Sequence, residues 1–317
     1  MNDKLLYPIS MKRFGKKMTD KKEEHDYTRY TIFFIFLLTL FSLYYSSKID
    51  LIALVGSSVS SFQSSSVLVL FWRVSCLLVA VSAAVYMVKI GAGNMRVITI
   101  KECEEITTYP VGLSKFVTFS SWTLLSNIAY FAIAASAQSL ELLDITVPDL
   151  LLRFQVFIFC IGIAMAFMTA TIVRHIILPD EVRIGRNHDH MFLFHEQIMH
   201  NFAAVFFAVE LLIVNPALEP QFAIIGLLMG IVYVTFAYLF AYFGGGYIVY
   251  SFLHPKPRIA PVLVFVLAGM IALFYTGLWF VSTLDRVFAI PILLVWISLI
   301  VQFRPTHIEP ANDTIAS

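Results

Sequence analysis

Charge is what this chain has least of. Only 14% of its 317 residues are Asp, Glu, Lys or Arg, whereas a soluble domain carries roughly a quarter. The formal net charge is +1, so no basic face points to nucleic acid. Cysteine is scarce too. Cys76 and Cys160 fall in apolar runs and Cys103 in a charged connection, which excludes a disulfide framework and leaves free thiols. The chain shows no repeat of fixed period, no glycine-rich phosphate loop and none of the alternation of a β-barrel.

What is abundant is apolar sequence, 59% of the chain. It is gathered into runs of about 20 residues, the length that crosses a bilayer core. The reading is an all-α, polytopic transmembrane helix bundle. Residues 1–30 form a charged tail, 31–303 a single membrane domain and 304–317 a short second tail. The first apolar run is too long for a signal-peptide core and has no clear cleavage site, so it is read as retained. Hydropathy predicts eight spans: Thr31–Ser47, Val67–Ile90, Phe116–Gln138, Leu152–Ile177, Phe192–Asn215, Phe222–Leu253, Ala260–Leu284 and Val287–Phe303. Only Asp285-Arg286 divides the last two, and one bent or re-entrant pair would also fit.

Lys and Arg cluster in the N-terminal tail and in alternate connections, around Lys89–Lys115, Arg174–Arg186 and Lys256–Arg258. The positive-inside rule then puts both termini in the cytosol. On that side the sequon Asn312-Asp313-Thr314 has no glycosylation role. The N-terminal tail reads as a solvated arm, with weak contact to anionic lipid as its functional alternative. The serines from Ser57 to Ser66 read as a flexible outer loop. Gly244-Gly245-Gly246 falls inside the sixth predicted span, where close packing or a hinge suits it better than phosphate binding.

Few polar groups interrupt the spans. Thr118 stands at the start of the third, in Lys115-Phe116-Val117-Thr118-Phe119, and His200 stands in the fifth, in Met199-His200-Asn201. Both spans enter from the predicted cytosolic side, Thr118 within about one turn of the surface and His200 about two turns in from Phe192. The topology thus allows the two to meet in that leaflet, at similar depth if the fifth helix begins nearer His195. A hydroxyl and an imidazole there would form a nucleophile and base pair. Each also has an ordinary reading. A membrane threonine often bonds back to a carbonyl one turn earlier, and a histidine can be satisfied by a neighbouring helix. Glu196, four residues before His200, would fix the imidazole tautomer or simply be a solvated carboxylate at a helix start. Glu210 lies deeper in the same span, and Arg73 sits in the second.

Two alternatives compete. Histidines at 188, 190, 195 and 200 suggest a zinc site built from His195, His200 and a distant residue such as His254, although a five-residue separation does not place both on one helical face. His200, Glu210 and Arg73 would instead line the polar path of a transporter or channel.

At these residues the chain resembles the androgen-induced and androgen-dependent TFPI-regulating membrane proteins, transmembrane threonine hydrolases of fatty acid esters of hydroxy fatty acids. The resemblance is carried by Lys115-Phe116-Val117-Thr118-Phe119, by Ile177-Leu178-Pro179, by the Met199-His200…Glu210 register and by Gly245 to Leu253, and it runs from about Val67 to Leu273. It implies Thr118 as nucleophile, His200 as general base and no cofactor. The substrate would be a lipid ester arriving from the bilayer, its acyl chains held by Phe, Ile and Leu walls. Ser121, Trp122 and Asn201 are candidate oxyanion donors. The implied location is the endoplasmic reticulum or plasma membrane. The chain departs from the family pattern at Ser251 (for Pro), Asn201 (for Thr), Val205 (for Pro) and Ser121 (for an acidic residue), which bears on substrate preference. The first and last spans look like additions to the family core.

Overall fold

The computed structural model describes residues 26–91 and 93–305. The first 25 residues and the sequon lie outside the described residues. The molecule is a membrane-embedded helix bundle. Its elements are α1 (Thr28–Lys48), α2 (Leu51–Ser58), α3 (Val67–Lys89), β1 (Met95–Thr99), β2 (Glu105–Thr108), α4 (Phe119–Leu142), α5 (Asp149–Arg183), α6 (Phe194–Val214), α7 (Ala223–Phe243), β3 (Tyr247–Ile248), α8 (Ala260–Ser282) and α9 (Arg286–Ile300).

Among the described residues six helices are long and apolar enough to cross a membrane: α1, α3, α5, α6, α7 and α8. α4 matches them in length but carries a polar buried face that includes Ser121, Thr123, Asn127 and Gln138. α9 has 15 residues, fewer than the roughly 20 of a full crossing. It is a separate helix that packs back against α5, α6 and α8, so the last apolar stretch is neither one bent helix nor a full-length pair.

The core is aromatic at its centre. Tyr130 and Phe131 of α4, Phe159 of α5 and Phe207 of α6 meet with ring centroids 5.1–5.8 Å apart. Small residues let the backbones approach this closely. A Cβ on Gly162 of α5 would stand 2.2 Å from the Phe207 ring.

Three local features differ from the sequence reading. The serine-rich stretch is largely ordered: Leu51–Ser58 is helical, Asp50 caps it by accepting from the Ala53 N–H at 3.3 Å, and a 3-10 turn follows at Val59–Phe62. α7 ends at Phe243, well short of Leu253. The three glycines therefore lie beyond the helix, where Phe240 O accepts both the Gly244 and Gly245 N–H, and Gly246 takes φ +73°. That left-handed residue is what glycine permits without Cβ strain. The chain then enters a three-stranded antiparallel sheet of order β2-β1-β3, which hydropathy did not reveal. The sheet is short, and its strands alternate too weakly to be told from a connection.

The sheet lies at one end of the bundle, where α1 and α8 start and α9 finishes. Tyr27 N–H donates to Lys256 O at 3.0 Å, Ile100 N–H to Gly246 O at 2.9 Å, and Asn201 binds the Gln302 backbone.

Candidate functional site

The connection before α4 is held at almost every atom. The Lys115 ammonium donates to Met87, Ile90 and Gly91 carbonyls at 2.8, 3.0 and 2.7 Å. It thus closes the C-terminus of α3, where a cation also suits the helix dipole. Phe116 O accepts from the Trp122 indole at 3.0 Å, and Val117 O from the Tyr233 hydroxyl at 3.1 Å. Thr118 is therefore not inside a span. It is the N-cap of α4, with extended backbone, and its Oγ1 accepts the Ser121 N–H at 3.1 Å. The Thr118 hydroxyl donates to Ser121 Oγ at 3.0 Å and lies 3.2 Å from Ser120 Oγ. Ser121 Oγ in turn donates to Thr118 O at 2.7 Å. Phe119 N–H donates to the Tyr250 hydroxyl at 3.1 Å.

His200 lies on α6 within a π turn, Ile198–Phe202, closed by the Ala203 N–H to Ile198 O bond. A second π turn, Val173–Ile177, interrupts α5. Such turns add a residue and re-aim the side chains around them, and they recur at functional sites. Val173, Ile177 and His200 all face the same cavity. His200 Nε2 is 3.3 Å from Glu196 Oε2, and His195 Nε2 is 3.3 Å from Glu196 Oε1. A nitrogen paired with a carboxylate carries the proton, so the other is left as an acceptor. The Nδ1 atoms of both rings are buried without a hydrogen-bond partner.

Thr118 and His200 line one cavity of about 290 Å³, near the lower edge of the roughly 300–1,000 Å³ of small-ligand sites. No hydrogen bond joins them among the described residues; the threonine hydroxyl is turned to the serines instead. A second, apolar lobe of about 80 Å³ shares the Ser120, His200 and Tyr250 walls. Ile35 and Leu38 of α1 and Leu267 of α8 line it, so the helix that looked like an addition to the family core completes a wall of the site.

Comparison with protein-family models, curated proteins and solved structures finds no match to this chain.

The mouth of the cavity is ionic. Arg96 of β1 lies 3.0 Å from Glu105, 2.8 Å from Asp180 and 3.8 Å from Glu181, and Arg186 lies 3.4 Å from Glu181 and also bonds Asn94. The sheet brings these groups together from separate connections. Tyr250 follows β3 into the cavity wall, and burial pushes its phenol up to about 12, so it stays protonated. Since it accepts the Phe119 N–H, its own proton is free to donate. Ser120, Tyr250 and the Arg96 cluster were not singled out from sequence. Charges of both signs in three connections at one end were the available signal, and only the sheet shows that they meet.

Other expected site residues go elsewhere. Asn201 donates to Gln197 Oε1 at 2.9 Å and Gln302 O at 2.8 Å, and accepts the Gln302 N–H at 2.9 Å. Its amide fastens the segment after α9 to α6 and is not available as an oxyanion donor. Trp122 is bonded to Phe116 O, and Ser121 belongs to the cap. Glu210 lies in the opposite half of the bundle. It pairs with the Arg73 Nε at 2.8 Å and accepts from the Tyr130 hydroxyl at 2.8 Å, all three fully buried. Neither Arg73 nor Glu210 lines either cavity. Among the described residues no three His, Cys, Asp or Glu side chains are placed to hold a metal ion. His254 is under β1, with Nε2 3.4 Å from Thr99 O, and burial lowers its pKa to about 4.

Proposed function

We propose that this protein is an intramembrane hydrolase of lipid esters, with Thr118 as nucleophile and His200 as general base. The observation that carries this reading is that both residues line one cavity, with a His200 Nδ1 that is buried and unpartnered. A threonine hydroxyl is a weak nucleophile until a base takes its proton. Rotation of the Thr118 side chain away from its serine partners would free that proton for transfer to His200. Glu196, on Nε2, orients the ring and stabilises the imidazolium that forms. Thr118 Oγ1 attacks the ester carbonyl, and the Tyr250 hydroxyl and the positive end of α4 face the developing oxyanion. The imidazolium returns its proton to the leaving alkoxide. Water, deprotonated by His200, then releases the acid from the acyl-threonine. The apolar lobe suits the acyl chain. The resemblance to threonine hydrolases points to fatty acid esters of hydroxy fatty acids as one substrate class, and the positive-inside pattern to a site in the cytosolic leaflet of an endomembrane or plasma membrane.

The test is release of fatty acid from lipid esters by membranes carrying the protein. Thr118→Ala and Thr118→Asn should both abolish it. The Asn variant keeps an N-cap, so its failure reports chemistry rather than folding. His200→Ala should cost about 10²–10⁴-fold. Activity that survives in all three variants would remove Thr118 and His200 from the reaction.

A further inference from the structure

The cavity is poor in one kind of partner. Its walls hold four carboxylates, Glu105, Asp180, Glu181 and Glu196, against three cations, Arg96, Lys115 and Arg186. The cations are engaged. Lys115 spends its ammonium on three backbone carbonyls. Arg96 is surrounded by Glu105, Asp180 and Glu181, and Arg186 by Glu181 and Asn94. A free carboxylate entering this space meets no uncommitted cation, and it brings acceptors only.

Three residues of the wall also hold buried acceptors without partners. Glu181 Oε2 has Arg186 3.4 Å away but accepts no hydrogen bond, and it is buried. With both Nε2 atoms on Glu196, the unpartnered Nδ1 atoms of His195 and His200 are lone pairs. These three residues are 7%, 5% and 7% exposed. Buried acceptors without donors are costly, and a ligand group that reaches them and donates hydrogen bonds relieves that cost.

We infer that this cavity selects a lipid with an uncharged, hydroxyl-bearing headgroup, of the monoacylglycerol kind, and discriminates against a lipid with a free carboxylate. Glu181 is the specificity-determining residue. The acyl chain occupies the lobe between α1, α5 and α8, and the polyol faces Glu181 and the two imidazoles. The inference rests on the lipid-ester reading and narrows it, because a hydroxy fatty acid ester exposes the acid headgroup that these walls disfavour.

Binding separates the inference from the chemistry. Thr118→Asn protein in detergent is presented with equal concentrations of 1-monooleoylglycerol and the palmitic ester of 9-hydroxystearic acid, and the adducts are counted by native mass spectrometry. The glycerol ester should prevail by about tenfold or more. The methyl ester of the branched lipid should bind better than its free acid, since only the charge has been removed. Adding Glu181→Gln, which removes the carboxylate beside Arg186 and supplies a donor, should raise the free-acid adduct and narrow the preference. Equal or better binding of the free acid to the Thr118→Asn protein, or no adduct with any of these lipids, overturns the inference. Turnover of the same lipids by the unmodified protein reports separately. A headgroup preference without turnover leaves the selectivity standing and removes the hydrolase reading. Turnover with the free acid preferred does the reverse.

Discussion

Two buried polar regions share this bundle, and they are built on opposite terms. In the half away from the sheet, Arg73, Glu210, Tyr130 and Gln138 bond one another and the Phe62 and Ser66 carbonyls, leaving Glu210 Oε2 without a partner, and none of the four lines either cavity. At the sheet end, Thr118, His195, His200 and Glu181 surround open space, and several of their polar atoms have no partner. An ionisable group at membrane depth invites a functional reading. The contrast shows that depth is not the discriminator. Arg73 and Glu210 bond each other and fasten α3 to α6, whereas Thr118 and His200 line open space that a ligand can enter.

The largest expected effect lies in the paired region. Glu210→Leu strands a buried guanidinium and should destabilise the protein by about 3–5 kcal/mol, while the Arg73→Met/Glu210→Leu double variant recovers most of the loss. Unfolding in detergent with rising denaturant measures both. Activity per folded molecule should be unchanged in each, because neither residue touches the cavity. A specific loss of kcat in the double variant would break the comparison.

The sheet end should respond to pH through His254. His254 titrates near 6.5 when unfolded and at about 4 when folded, so the folded state binds fewer protons. Its contribution is fully present above pH 6.5 and is lost as pH falls from there to 4. The full shift corresponds to about 3 kcal/mol at 1.36 kcal/mol per unit. Thermal melts across that window should show the drop, and His254→Asn should flatten this part of it. An unchanged slope in the variant would assign the pH response to other groups.

Glu196→Gln is the next smaller effect and the sharpest test of the unpaired region. It should lower kcat by about 10²-fold, or roughly 2.7 kcal/mol, with a melting temperature near that of the parent. A fall in melting temperature without a change in kcat would place Glu196 with the structural groups. The smallest effect is expected at Lys115→Met, which uncaps α3 and should cost about 1–2 kcal/mol, read as an earlier melt. Since Lys115 bonds only backbone carbonyls, headgroup preference should not change with it.

Much of the bundle could be read from the chain. Six long apolar helices coincide with predicted spans, α1 and α5 running past the predicted ends, because about 20 consecutive apolar residues have few other uses. The boundaries at Thr118 and Phe243 could not be read so well. Phe116 and Val117 are as apolar as the helix they precede, and the stretch from Tyr247 to Leu253 stays apolar after α7 has ended. Thr118 and His200 stood out as polar groups in apolar runs, and they do line one cavity. Glu210 and Asn201 stood out equally and serve packing.

The sequence by itself determined a membrane-embedded helical protein and the small set of polar residues that such a protein must account for. Hydrophobic run length is a local property, and so is a hydroxyl or an imidazole within it. Only the tertiary structure decided which of those residues are paired off and which face a cavity. Hydrogen-bond satisfaction depends on partners brought from α3, α4, α5, α6 and the sheet, and no spacing along one chain records it.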